Sequence, residues 1–211
     1  MSEIIRIPCG SVNAFLVKEM YSSILVDTGV AGYENKIYNI CRDSNVKCII
    51  LTHGHIDHIQ NTAVLSKLLN VPVAIGANDK ELIFDNTLQD MNGRGICGKI
   101  LCWISKKSMK SSSIQMFEPD ILLKDGDSLE QFGINGKIIS LPGHTKGSIG
   151  LDIEDRNFIA GDALMNMFNP TISLLYEDEE QLKDSAIKIS NLGERIIHFG
   201  HGKSVKNRKW I

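Results

Sequence analysis

Three histidines and one aspartate lie within six consecutive residues of this chain. They occur in the run Thr52-His53-Gly54-His55-Ile56-Asp57-His58, directly after the apolar stretch Val46 to Leu51. Imidazole and carboxylate groups together are typical ligands of zinc, iron and manganese. So dense a cluster would leave repelling or buried polar groups unless a cation joined them. The run therefore predicts a metal centre.

Three further candidate ligands each follow a different apolar segment and have glycine beside them. They are His144 after Gly143, Asp162 after Gly161, and His201 between Gly200 and Gly202. Glycine lets the backbone approach a crowded centre because it has no Cβ. The ends of strands commonly meet at one edge of a sheet. We therefore expect these three residues to join the first cluster.

The spacing within the cluster suggests two neighbouring ions. His53 and His55 are two residues apart, so on an extended segment they would face the same ion. Asp57 and His58 come after a turn and would face a second ion. Asp162 has two oxygens with separate lone pairs, so it can bridge both ions. The sixth histidine, His198, lies inside a strand pattern, and we expect it to be packed rather than to bind metal.

The elements around these residues alternate between strands and helices. Short strands precede a helix near 32–43, a buried strand over Val46–Leu51, and a helix near 60–69. In the second half, Asn135-Gly136 and the residues 154–156 each predict a hairpin. A helix near 177–192 and a last strand near 195–199 follow. This order indicates two β/α halves with sheets packed face to face and helices outside.

Length and composition indicate one globular domain over residues 1–211. The formal net charge of −2 gives no reason to expect nucleic acid or an anionic membrane as a partner. No apolar run reaches the ~20 residues that span a bilayer, and we expect no signal peptide. We expect a cytoplasmic protein with five free cysteines. The sequence does not indicate an oligomeric state.

Residues 86–117 differ in composition from the rest of the chain. From 92 to 117 the segment carries five basic residues and no acidic one, together with several glycines and serines. We interpret it as a basic loop insertion lying over the site. Lys106 and Lys107 are the candidate substrate-binding residues in it, and they would favour a small anionic substrate. A solvated basic loop without function is the alternative.

These motifs together resemble the metallo-β-lactamase-fold superfamily over nearly the whole chain. The first run resembles its T-H-x-H-x-D-H signature, and Pro142 to Ser148 resembles P-G-H-T-x-G-S. Asp27-Thr28-Gly29, Gly161-Asp162 and Gly200-His201-Gly202 resemble its remaining motifs, in the same order. The resemblance implies an α+β fold, an αββα sandwich of two packed mixed β-sheets with helices outside.

The resemblance also implies a ligand set. His53, His55 and His144 would hold one ion, and Asp162 would bridge to the other. The second ion would be held by Asp57, His58 and His201. The motifs and length are most similar to small glyoxalase II-like thioesterases. However, we expect no counterpart of the glutathione-binding helical domain of the full-length enzymes, and Ser148 replaces a histidine of their motif.

The function that this implies is a dinuclear metal-dependent hydrolase. Two divalent ions, with zinc favoured over iron or manganese, would supply a bridging hydroxide that attacks a thioester, ester or lactone. Asp57 would be catalytic, orienting its ion and carrying a proton.

Two alternatives use the same ligands. One is a persulfide dioxygenase with a single iron held by a set such as His53, His144 and Asp162. The other is a metal-bound binding or regulatory module without turnover. The sequence does not separate the hydrolase from the dioxygenase, because their ligand residues coincide.

Overall fold

A computed structural model describes residues 1–111 and 114–211 of the chain. In the described residues, the strands in chain order are β1 (Glu3–Cys9), β2 (Val12–Lys18), β3 (Ser23–Val26), β4 (Val46–Leu51), β5 (Val73–Gly76), β6 (Asn92–Gly93), β7 (Ile121–Leu123), β8 (Gly136–Ser140), β9 (Ile149–Ile153), β10 (Asn157–Ile159), β11 (Leu164–Met165), β12 (Thr171–Ile172), β13 (Leu175–Tyr176), β14 (Ile196–His198) and β15 (Val205–Lys206).

The α-helices of the same residues are α1 (Glu34–Cys41), α2 (Ile56–Ile59), α3 (Thr62–Leu69), α4 (Gly95–Ser111) and α5 (Glu179–Ser190). Short 3₁₀ helices span Ala77–Ile83, Asn86–Leu88 and Glu130–Phe132. None of the described helices has the length and apolarity that crossing a membrane would require.

Two mixed sheets form the centre of the fold. The larger has the order β1-β2-β3-β4-β5-β7, and the smaller has the order β15-β14-β10-β9-β8. In the larger sheet, β1 to β3 are antiparallel and β3, β4, β5 and β7 are parallel. In the smaller sheet, only the β10–β14 pair is parallel.

Strands β2 and β4 are apolar on both faces because each face of the larger sheet is covered. Phe15 and Ile50 point to the core between the two sheets. Leu16 and Ile49 point the other way, to a second core shared with α1 and α3. This division follows from the two-residue period of a strand. It also explains why β4 is a nearly continuous hydrophobic run.

The smaller sheet is covered on its outer face by α5, whose Ala186 and Ile189 pack with Phe158 and Ile197. Asp178 caps this helix by accepting hydrogen bonds from the backbone N–H groups of Glu180 and Gln181. The layers are therefore helix, sheet, sheet and helix. The predicted αββα sandwich of two packed mixed sheets is confirmed.

One predicted hairpin is wrong. Residues 128–134 do not form a strand. Ser128 makes an isolated antiparallel bridge with Lys137, a 3₁₀ helix spans Glu130–Phe132, and Gly136 belongs to β8 instead of a turn. Leu129 and Phe132 bury their side chains in the core between the sheets, which a flat strand would not allow. The hairpin at 154–156 is present, with Glu154 and Asp155 at φ of 51° and 53°.

The predicted loop at 86–117 is also wrong in its central part, because most of this segment is helix α4. Residues 112 and 113 of the segment lie outside the described residues. Strand β6 precedes α4 and pairs with β13, which ties the start of the helix to the chain near the site. Packing outweighs the low helix propensity of Gly95 and Gly98. The assignment of residues 1–211 to one domain remains a prediction.

Candidate metal centre

The seven predicted ligands lie together at one edge of the two sheets. His53 to His58 follow β4, His144 follows β8, Asp162 follows β10, and His201 follows β14. Their potential ligand atoms form three groups, each with all atoms within 4.8 Å of one another: His53, His55 and His144; His53, His58 and Asp162; Asp57, His58 and His201. The first and third groups are the two triads expected from the sequence. Their role as metal ligands remains a prediction.

Each of the five clustered histidines has one ring nitrogen held by a neighbour outside the cluster. The outer contacts are His53 Nδ1 with Thr52 Oγ1 (3.0 Å), His58 Nδ1 with Asp27 Oδ2 (2.9 Å), His144 Nδ1 with the Leu175 carbonyl (2.9 Å), His201 Nδ1 with the Ser11 carbonyl (2.8 Å), and His55 Nε2 with Gln89 Oε1. In the neutral rings these contacts place the proton on the outer nitrogen. The other nitrogen of each ring then presents its lone pair to the centre.

Asp27 is a positioning residue that the sequence reasoning did not single out. It is buried at φ 57°, accepts the Nδ1–H of His58, and accepts hydrogen bonds from the backbone N–H and hydroxyl of Thr52 at 2.8 Å each. The Thr52 hydroxyl is in turn the partner of His53. One carboxylate thus orients a histidine from each triad. Its Asp-Thr-Gly motif was visible in the sequence, but its contact with His58 was not.

Two more positioning residues were missed. Gln89 contacts the His55 ring through its oxygen, and its amide N–H₂ donates to the backbone carbonyl of His144, so it links the ring of one first-triad residue to the backbone of another. Asp79 accepts hydrogen bonds from the backbone of Gly54 (2.9 Å) and of Gly147 (2.6 Å), which joins the loops after β4 and β8. Asp79 closely follows the buried strand β5, and this position was the available signal. No pattern in the sequence marked Gln89.

Asp162 lies between the two triads. Its Oδ1 is 3.6 Å from His58 Nε2, and its Oδ2 is 3.2 Å from His201 Nε2 and 3.8 Å from His144 Nε2. The carboxylate therefore faces ligands of both predicted ions. A Cβ on Gly200 would overlap the Asp162 carboxylate, so a glycine is needed there. This placement supports the predicted bridging role of Asp162.

The unpartnered atoms show that a cation fits this centre. Buried atoms without a hydrogen-bond partner include His53 Nε2, His58 Nε2 and Asp162 Oδ1, which belong to one of the three groups. His144 Nε2 and His55 Nδ1 are only 2.9 Å apart. Buried polar atoms normally have partners, and converging lone pairs repel. A cation bound by nitrogen and carboxylate ligands would remove both costs.

The charges of the cluster favour cations or protons at the second triad. Burial opposes protonation of His58, but the surrounding carboxylates of Asp162, Asp57 and Asp27 raise its pKa to about 10. Burial likewise opposes protonation of His201, but Asp162 and Asp57 raise its pKa to about 9. In the first triad, burial lowers the pKa of His55 to about 4. The second triad therefore carries the stronger attraction for positive charge.

Asp57 is the most accessible of the predicted ligands, with 38% of its side chain exposed. Its Oδ2 lies 3.5 Å from His201 Nε2 and 3.9 Å from His58 Nε2. It lines a cavity of about 270 Å³ that opens over the cluster. This position suits the predicted catalytic role of Asp57, which remains a prediction.

The structure does not bring Lys106 and Lys107 to this cavity. Lys106 lines a different cavity, beside the segment Asn86–Met91, and the Lys107 ammonium lies 5.7 Å from the ring centre of Trp103. Their predicted substrate-binding role is untested. His198 is packed away from the cluster, as expected, between Asn157 (3.1 Å) and Ser204 (2.8 Å).

The sequence is similar to those of several known proteins. Hydroxyacylglutathione hydrolase GloC of Haemophilus influenzae is 30% identical over 165 residues, which cover 76% of this chain and 70% of GloC. An uncharacterized protein of Aquifex aeolicus is 32% identical over 163 residues, or 75% of this chain and 69% of that protein. The probable metallo-hydrolase YflN of Bacillus subtilis is 26% identical over 213 residues, which cover 89% of this chain and 78% of YflN.

The fold has solved counterparts. The B3 metallo-beta-lactamase BLEG-1 superposes with a TM-score of 0.75 at 24% identity, covering 97% of this chain and 94% of BLEG-1. TTHA1623 in a di-iron-bound form gives a TM-score of 0.70 at 21% identity, and the match covers 99% of this chain and 100% of TTHA1623. Residues 7–201 match the sequence pattern of the metallo-beta-lactamase superfamily. The chain therefore belongs to the metallo-beta-lactamase superfamily of metal-dependent hydrolases.

Proposed function

We propose that this protein is a dinuclear metal hydrolase that cleaves a thioester, ester or lactone. The observation that carries the proposal is the arrangement of the seven ligands. The first and third groups share no residue, and the middle group takes one histidine from each and adds Asp162. A single ion held by a facial triad needs three ligands. Two complete triads joined by a carboxylate favour two ions.

The candidate ligands divide into two sets, one for each metal ion. His53, His55 and His144 would hold one ion. Asp57, His58 and His201 would hold the other, with Asp162 shared. When bound, such ions lower the pKa of water, for zinc from 15.7 to about 7, and polarise a carbonyl oxygen.

The protein's own side chains would orient the histidine rings and supply a proton to the leaving group. Thr52 and Asp27 keep the rings of His53 and His58 in the tautomer whose inner nitrogen is free. The partly exposed carboxylate of Asp57 faces the cavity, so it can take a proton from water and pass it to a departing thiolate or alkoxide. The buried Asp162 lies between three histidine-bearing segments, those of His58, His144 and His201, and would serve as the shared anion.

The names of the relatives support a hydrolase. One is named a hydroxyacylglutathione hydrolase and another a probable metallo-hydrolase. The substrate bond, the metal and the number of ions are parts of the proposal.

The experiment combines metal analysis with turnover. Purified protein would be assayed by elemental mass spectrometry and then tested on thioesters, esters and lactones. About two ions per chain with hydrolysis supports the proposal. One iron per chain, with oxygen consumed in the presence of a persulfide and no hydrolysis, would replace it by the dioxygenase alternative.

A matched pair of histidine variants provides the control. His53→Ala should lose metal and hydrolysis. His198→Ala removes a buried histidine outside the cluster and should keep both. Equal metal content in both variants would contradict the assignment of the centre.

A further inference from the structure

The cavity over the cluster has two chemically different parts. Its floor contains metal-ligand candidates, namely His55, Asp57, His144, Asp162 and His201. Its wall contains nine apolar side chains, namely Val30, Ile56, Met91, Leu101, Ile104, Met109, Met165, Met167 and Leu175. Ser11, Ser105 and Ser108 complete the lining. A substrate whose carbonyl reaches the floor would therefore lay its remaining atoms against apolar groups.

Helix α4 provides one side of this wall. Leu101, Ile104, Ser105 and Met109 line the cavity, with Ser108 on the same face. This spacing of three and four residues is one face of a helix. The segment predicted as a basic loop thus covers the site with its less charged face.

None of the described side chains in the cavity lining is a lysine or an arginine. The carboxylates of Asp57 and Asp162 are the anions of the floor. An anionic group on the far part of a substrate would leave water for an apolar wall without a compensating cation, which is costly. The wall therefore disfavours anionic tails.

Methionine is unusually common in the wall. Four of the seven methionines of the chain line this cavity: Met91, Met109, Met165 and Met167. Methionine is flexible and fills irregular gaps. Such a wall adapts to chains of different shape and length instead of selecting one rigid group.

The geometry points to a substrate with an uncharged alkyl or acyl chain next to the scissile carbonyl. This chain would lie against the apolar wall, between α4 and the methionines Met165 and Met167. This inference rests on the proposed hydrolase function and names its substrate class. It differs from the anionic substrate expected from the sequence, because Lys106 and Lys107, the residues named for that expectation, do not line the cavity.

The first test is a series of thioesters of one small neutral thiol with acetyl, butanoyl, hexanoyl and octanoyl groups. kcat/KM should rise about two- to fourfold per added methylene until the cavity is filled. An octanoyl chain ending in a carboxylate should react at least about tenfold more slowly than octanoyl. A flat series, or equal rates for the two octanoyl substrates, would overturn the inference.

Two neighbouring isoleucines on α4 give a matched pair of variants. Ile104 lines the cavity and is 50% exposed, whereas Ile100 does not line it and is 54% exposed. Both positions therefore tolerate a polar side chain to a similar degree. Ile104→Arg should lower kcat/KM for octanoyl and raise it for the carboxylated chain. Ile100→Arg should change neither, and equal effects of the two substitutions would contradict the assigned wall.

A binding measurement separates this inference from the proposed function. Uncleavable thioether analogues with methyl or hexyl groups would be titrated calorimetrically against the protein and the Ile104→Arg variant. If no thioester, ester or lactone is cleaved, the proposed function fails, and tighter hexyl binding still supports the apolar wall. If acetyl thioester is cleaved but hexyl binds no tighter than methyl, the function stands and the wall inference fails.

Discussion

The Nδ1–H of His58 donates to Asp27 Oδ2 at 2.9 Å, and both side chains are buried. The two residues are 31 positions apart; Asp27 directly follows β3, and His58 lies in the short helix α2 that follows β4. The same carboxylate accepts two hydrogen bonds from Thr52. The orientation of the predicted metal ligands therefore depends on a contact between adjacent parallel strands.

Replacing Asp27 by asparagine should weaken metal binding. The amide keeps the shape of the side chain but removes the charge that stabilises His58 and fixes its tautomer. Loss of such a contact typically lowers metal affinity about 10- to 100-fold. Competition with a chelator would measure the metal affinity of the Asp27→Asn variant. Asp152→Asn is the control, because Asp152 is equally buried but pairs with Arg195. Equal affinity losses in both variants would indicate a general folding effect.

Replacing Asp162 by alanine should separate the two ions. The shared carboxylate faces both triads, so its loss leaves the first triad with histidine ligands only and the second with Asp57 as its one carboxylate. We expect metal content to fall below two ions per chain and hydrolysis to fall at least about 100-fold. Elemental analysis and turnover of the same sample test this. Normal turnover with full metal content would refute the dinuclear arrangement.

Adding a methyl group at Gly200 should disturb the metal centre although none of the candidate ligands is itself replaced. The added Cβ overlaps the Asp162 carboxylate and lies 2.8 Å from His58 Cε1. Gly200→Ala should therefore lose metal affinity. Gly193→Ala is the comparison, since Gly193 has φ of +77° with no atoms within 4 Å of an added Cβ. That variant should lose stability by about 1 kcal/mol but keep its metal.

Metal binding should release protons. In the metal-free protein the pKa of His58 is raised to about 10 and that of His201 to about 9, so both rings are protonated at pH 7.5. A bound cation must displace these protons, and its affinity should rise as pH rises. Roughly two protons per chain correspond to a hundredfold gain per pH unit. Titration of zinc at pH 6.5 and 7.5 checks this, and a pH-independent affinity would contradict it.

Reversing the charge of Lys106 and Lys107 should not change KM for an uncharged thioester. Lys106 lies at a separate cavity and Lys107 over Trp103. The double variant with glutamate at both positions would be compared with Ile104→Arg on hexanoyl and carboxylated substrates. A large rise in KM for the carboxylated substrate in the double variant alone would support the anionic-substrate expectation instead.

The clustering of the seven candidate ligands was predictable because its signal is local. Each ligand follows an apolar strand and lies beside glycine or other ligands, and β4 with the run after it shows both features in one stretch. The contacts of Asp27 and Gln89 were not predictable, because hydrogen bonds between distant segments leave no pattern in either segment.

The errors in secondary structure have a common cause. Asn135-Gly136 favours a hairpin, but the burial of Phe132 between the sheets decides the conformation of that segment. The glycines and serines of 92–117 favour a loop, but the packing of α4 over the cavity makes a helix. In both cases tertiary contacts outweigh local preference.

The position of α4 separates two tasks within one chain. The strand-end loops hold the donors through buried hydrogen bonds, whereas α4 reaches the site from an independent segment between β6 and β7 and contributes only its side-chain surface. Substitutions at residues 101–109 could therefore change which substrates the proposed enzyme accepts without moving the candidate metal ligands. In the proposed hydrolase, this helix would be the part of the chain that can change with the substrate, while the candidate metal ligands stay unchanged.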